Sequence, residues 1–406
     1  MNRPARIRTL LFSTLYPSSV RPGHGIFVET RLRELLASGQ VETKVVAPVP
    51  WFFSTHPRYG DYARIASTPR RETHNGIDVQ HPHYFLPPKI GMNIAPLTLA
   101  MGAKASIQRL IDEGFDFDVI DAHYYYPDGV AAALLARHFK KPLTITGRGS
   151  DINLVAHFFL PRRWMQWASR QAQASIGVST ALTRAMVELG VPAERLMVMR
   201  NGVDLQRFRL GDPQTTRLTL RWPERPTLLC VGNLVENKGQ HIAIEALTQL
   251  KEFELVIAGE GPERKTLERL ARALGVANRV RFLGQLKQAD LASCYAAADV
   301  LLLPSSREGW PNVLLEAMAC GTPVVATDVG GISEIVTTDA VGRLMPERSP
   351  IALVTAVRGL WQEMPDRLTV RAHAQQHGWR TTSEAQLALF HRLAGQRSNG
   401  DRACVT

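Results

Sequence analysis

Two glutamates separated by seven residues, Glu308 and Glu316, are the side chains whose type and spacing most directly predict chemistry in this chain of 406 residues. Glu308 follows a short apolar run, residues 299–303, and Glu316 lies in the first turns of the next helix. At ~1.5 Å per helical residue and at most ~3.5 Å per extended one, the two carboxylates can lie a sugar diphosphate apart. Carboxylates accept hydrogen bonds from hydroxyl pairs, so one suits a hexose and the other a ribose. The alternative is two solvated glutamates at a helix start.

The elements around these glutamates predict an open α/β sheet. Pro311 suits a first helical position, Gly321 ends that helix, and residues 323–327 form the next buried strand. We expect the turn that follows to lead into a further helix containing Glu334. Ligands of such sheets lie beyond the carboxyl ends of the strands, so Glu308 is at a site by position.

Length and composition predict a soluble protein of two domains. A chain of 406 residues exceeds one ordinary core, and no stretch approaches ~18 uninterrupted apolar residues. The basic and apolar N-terminus is interrupted by Ser13 and Thr14, so we interpret it as a first strand and not as a signal peptide. The four cysteines form no C-x-x-C pair, and three lie in apparent strands or apolar helix faces. These features favour a reducing, cytoplasmic location. The cysteines are Cys230, Cys294, Cys320 and Cys404.

The net charge of +11 is concentrated in the first half of the chain. Residues 1–200 hold 24 Lys and Arg against 15 Asp and Glu, whereas the remaining 206 residues hold 24 against 22. Such a field favours anionic phosphates or a membrane surface. Nucleic acid ranks last as a partner, and we expect none, because no nucleic-acid module is present.

Two glycine turns in the second half suit a diphosphate. Residues 227–231 predict a strand that ends at Gly232 and Asn233, and Lys238 precedes the next helix. This loop can bring backbone N–H groups and a cation to phosphate. Gly261 lies in a similar turn. Because both the P-loop spacing and the G-x-G-x-x-G pattern are missing, nicotinamide binding loses its support, and no cluster predicts a metal site.

The segment SSREGWPNVLLEAMACGTPVVATDVGG, with the two glutamates inside it, resembles the E-x7-E signature of the family 4 retaining glycosyltransferases. The NGVD-x-x-x-F element at residues 201–208 is similar to that family as well. The resemblance implies the GT-B fold, in which two facing α/β domains bind a nucleotide-sugar donor mainly through the C-terminal one. It further implies that Glu308 contacts the donor sugar, Glu316 the ribose and Lys238 the phosphates, with Asn233 standing where the family has an arginine. The loop residues expected to complete the donor site are Arg307, Gly309, Trp310, Pro311 and Asn312.

The first half carries the resemblance at three further places. Gly23 and Gly25 follow the first strand, where the family has its glycine loop. His123 lies at the end of a buried strand in a segment similar to the one whose histidine contacts the donor sugar. Arg148 stands where the family commonly has a histidine and favours an anionic acceptor group. Asp151 is a candidate for positioning or deprotonating the acceptor hydroxyl, with helix capping as its alternative role.

Aromatic and basic residues are mixed in residues 156–170. Phe158, Phe159 and two tryptophans accompany Arg162 and Arg163 in this stretch. Rings at the headgroup level and cations on anionic lipid suit a peripheral membrane contact, here the inner face of the membrane. A core helix with a charged outer face is the alternative.

The sequence therefore predicts a cytoplasmic, metal-independent, retaining hexosyltransferase of cell-surface polysaccharide biosynthesis, which uses a nucleoside-diphosphate sugar, no cofactor, and a glycan or lipid-linked acceptor. The alternatives are a nucleotide-sugar epimerase of the same fold and a noncatalytic glycan-binding scaffold. Release of free nucleoside diphosphate only in the presence of an acceptor glycan would distinguish the transferase from the epimerase. The expected parts are an N-terminal acceptor-side domain (1–208), a linker (209–226), a donor-binding domain (227–376), a helix that crosses back to the N-terminal domain (377–395) and a disordered tail (396–406).

Overall fold

The computed structural model describes residues 6–87 and 90–403, with side chains as far as residue 395. It divides into two units. One contains the chain as far as Arg200 together with the chain from Arg380 onward, and the other contains Asn201–Trp379.

The first unit alternates strands and helices. In chain order its elements are β1 (Ile7–Phe12), α1 (Ile26–Leu36), β2 (Val41–Val46), β3 (Val49–Pro50), α2 (Asp61–Ala66), β4 (Arg71–His74), β5 (Ile77–Gln80), β6 (His83–Tyr84), α3 (Gly91–Asp112), β7 (Val119–His123), α4 (Val130–Phe139), β8 (Leu143–Gly147), α5 (Ser150–Asn153), α6 (Phe159–Gln171), β9 (Ala174–Gly177), α7 (Thr180–Leu189) and β10 (Leu196–Val198). The main sheet has the order β10-β9-β8-β7-β1-β2-β5-β4, and β3 pairs with β6 in a separate ribbon. All pairs of the main sheet are parallel except β4 with β5. The strand order reverses between β1 and β7, which is where ligands of doubly wound sheets bind.

The second unit has the same design on a smaller scale. Its elements are α8 (Pro213–Leu220), β11 (Thr227–Val231), α9 (Gln240–Ala246), β12 (Glu254–Ala258), α10 (Arg264–Ala273), β13 (Val280–Gly284), α11 (Gln288–Ala297), β14 (Val300–Leu303), α12 (Asn312–Ala319), β15 (Val324–Thr327), β16 (Gly342–Met345), α13 (Pro350–Gln362) and α14 (Arg367–Gln375). The sheet has the order β13-β12-β11-β14-β15-β16 and is parallel throughout. Its central strands β11, β14 and β15 are buried along their whole length, as expected for strands with helices on both faces. The strand order reverses between β11 and β14.

The last helix, α15 (Arg380–Ala403), belongs to the first unit, as the predicted crossing helix requires. Leu387, Leu389, Phe390 and Leu393 join a core that includes residues of β1, β7 and β9. The backbone of the helix extends to Ala403, so it differs from the disordered tail that the sequence predicts from residue 396. Residues 404–406 lie outside the described residues.

Two predicted boundaries also differ from the structure. Residues 201–208 belong to the second unit, where Val203 bridges to Gly378 and Phe208 packs on Tyr295. The predicted linker contains α8, and Arg217 of this helix donates to the Ala297 carbonyl, so the segment is a packed part of the second unit.

The predicted helix around Glu334 is absent. Residues 328–340 form successive turns between β15 and β16. The stretch is rich in β-branched residues and contains Gly330 and Gly331, and both kinds of residue are poor helix formers.

Three of the four cysteines, Cys230, Cys294 and Cys320, are buried free thiols, as predicted, and Cys404 lies outside the described residues. Within the described ranges, none of the helices combines the length and the apolar character needed to span a bilayer.

Candidate active site

An ion pair lies across the switch point of the second unit. Lys238, in the loop after β11, approaches Glu308, in the loop after β14, with 2.6 Å between Nζ and Oε1. The side chain of Glu308 is 9% exposed and that of Lys238 is 25% exposed. The sequence predicted both residues for the donor site. It did not predict that they contact each other.

Close approaches of the backbone fix these two loops. Gly330 has φ +58°, and a Cβ added there would lie 1.9 Å from the carbonyl oxygen of Glu308. Gly239 has φ +73°, and a Cβ there would lie 2.0 Å from the carbonyl oxygen of Pro304. Only glycine fits both the left-handed backbone and this spacing. The turn after β15 therefore holds Glu308 in place.

Arg348 also connects the two loops, and the sequence did not predict this residue. It follows β16, and its guanidinium donates to the carbonyl of Pro304 at 3.0 Å and to the carbonyl of Glu236 at 2.6 Å. Its position beyond the carboxyl end of a strand was the signal that could have identified it.

The amides of the loop after β11 are largely used within the chain. Lys238 N–H donates to Val235, Gly239 N–H to Glu236 and Gly232 N–H to Ala258. This corrects the expectation that the loop offers several bare N–H groups to a diphosphate. The Lys238 side chain is therefore the main positive group that this loop supplies. The side chain of Asn233, where the family has an arginine, is exposed.

Glu316 lies one turn into α12 and accepts a hydrogen bond of 2.8 Å from the hydroxyl of Tyr295. Burial raises the pKa of Glu316 to about 7, although the Tyr295 hydrogen bond and the charge of Arg207 oppose this shift. The carboxyl group is thus balanced between its neutral and charged forms near neutral pH. Either form can hydrogen-bond to a hydroxyl, but only the carboxylate accepts on both of its oxygens without donating.

The residues between the two glutamates shape the loop. Trp310 is buried, and its indole N–H donates to the carbonyl of Asn201 at 2.9 Å. The amide of Asn201 donates to Asn312 at 3.2 Å. Pro311 lies just before α12, which begins at Asn312, one residue later than predicted. Arg307 is exposed and Gly309 is buried. Gly261 also approaches a neighbouring loop, since a Cβ there would lie 2.3 Å from the Leu234 carbonyl oxygen.

In the first unit, the predicted residue His123 ends β7 at the switch point and is 1% exposed. Its Nε2 lies 3.1 Å from a carboxylate oxygen of Asp121, and its Nδ1 hydrogen-bonds to the guanidinium of Arg148. Burial lowers the pKa of His123 to about 4, although Asp121 opposes this shift. The ring is therefore neutral at pH 7. Because both nitrogens have partners, His123 offers neither of them to a donor sugar in this arrangement.

Asp151 is wholly buried, and its carboxylate closes its own loop. It accepts from the backbone N–H groups of Tyr125 at 2.6 Å, Gly149 at 2.8 Å and Arg148 at 3.0 Å. These bonds hold the loop before α5 and agree with a structural role for Asp151, whereas a part in positioning or deprotonating an acceptor hydroxyl stays a prediction. By holding the loop after β8, Asp151 positions Arg148 beside His123. The Arg148 guanidinium also lies 5.2 Å from the centre of the Phe27 ring.

The glycine loop after β1 is shaped by the chain itself. Gly25 precedes α1 with φ +67°, and a Cβ there would lie 2.3 Å from the backbone of Leu15. Gly23 is exposed. Asp128, in the turn between β7 and α4, accepts from Thr14 N–H at 2.6 Å and from the Ser13 hydroxyl at 3.2 Å. These bonds join the loops that follow β1 and β7.

Two family profiles match most of the chain. The profile described as "Glycosyltransferase Family 4" matches residues 65–207, and the profile described as "Glycosyl transferases group 1" matches residues 216–377.

Two curated relatives match over most of their own length. The putative teichuronic acid biosynthesis glycosyltransferase TuaC of Bacillus subtilis is 30% identical over 342 residues, which is 81% of this chain and 83% of the relative. A glycogen synthase of Mycobacterium tuberculosis is 30% identical over 420 residues, which is 96% of this chain and 95% of the relative.

Solved structures show the same fold. Sucrose-phosphate synthase of Thermosynechococcus elongatus has a TM-score of 0.80 at 21% identity, covering 96% of this chain and 100% of that one. Anabaena HepE with UDP and glucose has a TM-score of 0.72 at 21% identity, covering 95% and 100%. Together with two doubly wound units and a last helix that returns to the first, these matches establish that the chain belongs to the family 4 glycosyltransferases and has the GT-B fold.

Proposed function

We propose that this glycosyltransferase transfers a hexose from a nucleoside-diphosphate sugar with retention of configuration. The observation that carries the proposal is the Lys238–Glu308 pair at the β11/β14 switch point. The cation suits the diphosphate, and the carboxylate suits hydroxyls of the sugar. Glu316, further into α12, suits the ribose. HepE, which shares the fold, has been crystallised with UDP-glucose, and this supports a nucleotide-sugar donor here.

The retaining mechanism that we propose needs no enzymic nucleophile. The carboxylate of Glu308 pairs with a lysine and that of Asp151 accepts backbone N–H groups, so neither is presented as an attacking group. Departure of the diphosphate develops negative charge, which Lys238 stabilises. The acceptor hydroxyl attacks on the face that the diphosphate leaves, and the diphosphate oxygen takes its proton. In this scheme Lys238 supplies positive charge to the leaving group without a bound cation.

We further propose a glycan or lipid-linked acceptor of cell-surface polysaccharide synthesis, reached from an anionic membrane. TuaC, named for teichuronic acid biosynthesis, supports this acceptor class. The start of α6 supports the membrane, because Phe158 is 47% and Phe159 is 74% exposed. The guanidinium of Arg163 lies 5.4 Å from the centre of the Phe159 ring. Exposed rings beside cations suit an anionic headgroup layer.

A donor panel incubated with lipid extract tests the function. Mass spectrometry should find a hexose added to an extracted acceptor, and nucleoside diphosphate should be released only when acceptor is present. Nuclear magnetic resonance of the anomeric proton in the product should show the same anomeric configuration as in the donor sugar. Interconversion of the donor sugar without acceptor would identify an epimerase instead. Unchanged polysaccharide synthesis in cells that carry Glu308→Gln would favour a scaffold.

Vesicle cosedimentation tests the membrane contact. The wild type should sediment with vesicles that contain phosphatidylglycerol, and an Arg162→Ala, Arg163→Ala variant should bind several-fold less. A matched control removes two exposed arginines of α10, Arg269 and Arg272. If the wild type does not bind, or if both variants lose binding equally, the proposed surface is wrong.

A further inference from the structure

A buried glutamine of the last helix contacts the carboxylate beneath His123. Gln386 lies on α15 and is 1% exposed. Its amide nitrogen donates to Asp121 Oδ2 at 2.9 Å, and its amide oxygen accepts from Arg31 Nε at 2.9 Å. Because a carboxylate only accepts and a guanidinium only donates, the amide can satisfy both in one orientation only.

Asp121 is the junction of this group. It is 3% exposed and also accepts from the Thr144 hydroxyl at 2.8 Å. Burial alone would raise its pKa, but His123, Arg31 and the hydrogen bonds outweigh burial and lower it. Asp121 is therefore a buried carboxylate whose oxygens are held by three side chains, of which Gln386 comes from the most distant part of the sequence.

The proton on the His123 ring follows from its two partners. Arg148 can only donate, so Nδ1 of His123 must accept and the proton must lie on Nε2. The Nε2–H then donates to Asp121. If the proton were on Nδ1, this N–H would face an N–H of Arg148. Nε2 would then have no proton to donate to the carboxylate of Asp121. The ring thus has one tautomer and one orientation.

We propose that Gln386 is a positioning residue of the active site. By holding Asp121, it fixes the tautomer and orientation of His123, which in turn accepts from Arg148 and fixes the guanidinium. Arg148 then presents its positive charge to an anionic group of the acceptor. Only this last step depends on the function proposed above. Since α15 carries Gln386, the docking of the last helix and the geometry of Arg148 are set together.

Gln386→Met removes both hydrogen bonds and keeps the length of the side chain. The matched control is Leu389→Ala, which loses apolar packing of the same helix from a residue that is 2% exposed and takes no part in the hydrogen bonds to Asp121. Ring nitrogen shifts of His123, assigned with His123→Gln, should show the Nε2–H form alone in the wild type and in the control. In Gln386→Met they should move toward a mixture of tautomers.

Kinetics test the link to Arg148. In Gln386→Met the KM for acceptor should increase about ten-fold with little change in kcat, as for a lost contact that is equal in ground and transition states. Leu389→Ala should keep the wild-type KM. Wild-type ring shifts in Gln386→Met would overturn the positioning role, and this readout needs no transferase activity. Altered shifts with an unchanged KM would overturn the step from His123 through Arg148 to the acceptor.

Discussion

Substitution of Lys238 and substitution of Glu308 should change the affinity for nucleoside diphosphate in opposite directions. Lys238→Met removes the charge that we assign to the diphosphate. Hydrogen bonds to charged groups contribute about 1.5–3 kcal/mol, so the Kd for nucleoside diphosphate should increase roughly 10- to 150-fold. Glu308→Gln instead releases Lys238 from a partner 2.6 Å away. A part-exposed ion pair contributes about 1 kcal/mol, so the same Kd should decrease by up to about five-fold.

Isothermal titration of the free nucleoside diphosphate measures both effects without sugar transfer. The double variant should bind like Lys238→Met, because Glu308 acts on the diphosphate only through the lysine. Transfer from the intact donor should fall in all three variants, since Glu308 also contacts the sugar in our proposal. Equal weakening by both single substitutions, or a Kd unchanged in Lys238→Met, would refute this reasoning.

Three further predictions concern protonation and backbone geometry. Because burial raises the pKa of Glu316 to about 7 and the carboxylate is the form that accepts from both ribose hydroxyls, nucleotide affinity should rise about ten-fold from pH 6 to pH 8, and Glu316→Gln should abolish this dependence. Gly330→Ala should cost at least about 1–2 kcal/mol in urea unfolding, since its left-handed backbone faces the Glu308 carbonyl, whereas Gly359→Ala, in α13 with no atom within 4 Å of the added Cβ, should stabilise by about 0.5–1 kcal/mol. Burial raises the pKa of Asp128 from 3.8 to about 7, so the folded state binds the extra proton between these values and stability falls as pH rises through them; the stability of the wild type relative to Asp128→Asn should therefore decrease from pH 4 to pH 7, and a difference independent of pH would contradict this.

Much of the fold could be predicted from local signals, because several strands, β11 and β14 among them, are short apolar runs followed by glycine or proline. β11 and β14 were placed to within one residue, since parallel strands covered on both faces carry little polar patterning. The predicted helix around Glu334 was wrong because the alternation of strand and helix does not outweigh the low helix propensity of glycine and β-branched residues. The prediction of a linker was wrong because a polar composition does not reveal that Arg217 contacts the end of α11.

The sequence predicted which residues form the site better than it predicted the contacts between them. Glu308 and Lys238 follow two strands that a doubly wound sheet places side by side, but 70 residues separate them in sequence. Gln386 and Asp121 are 265 residues apart, and no periodicity relates them. Asp151 illustrates the limit of residue type, because capping and catalysis both favour an aspartate after a glycine turn. The three backbone donors around its carboxylate are contacts that residue type alone did not predict.

A crystal structure with an intact nucleotide sugar tests the central claim most directly. We predict phosphate oxygens within about 3 Å of Lys238 Nζ, a sugar hydroxyl on Glu308 and the ribose hydroxyls on Glu316. The ligand should change the contact between Lys238 and Glu308, because it binds to both side chains. A nucleotide sugar bound elsewhere on the second unit, with this ion pair intact and Glu316 still bonded only to Tyr295, would contradict the assignment of the donor site.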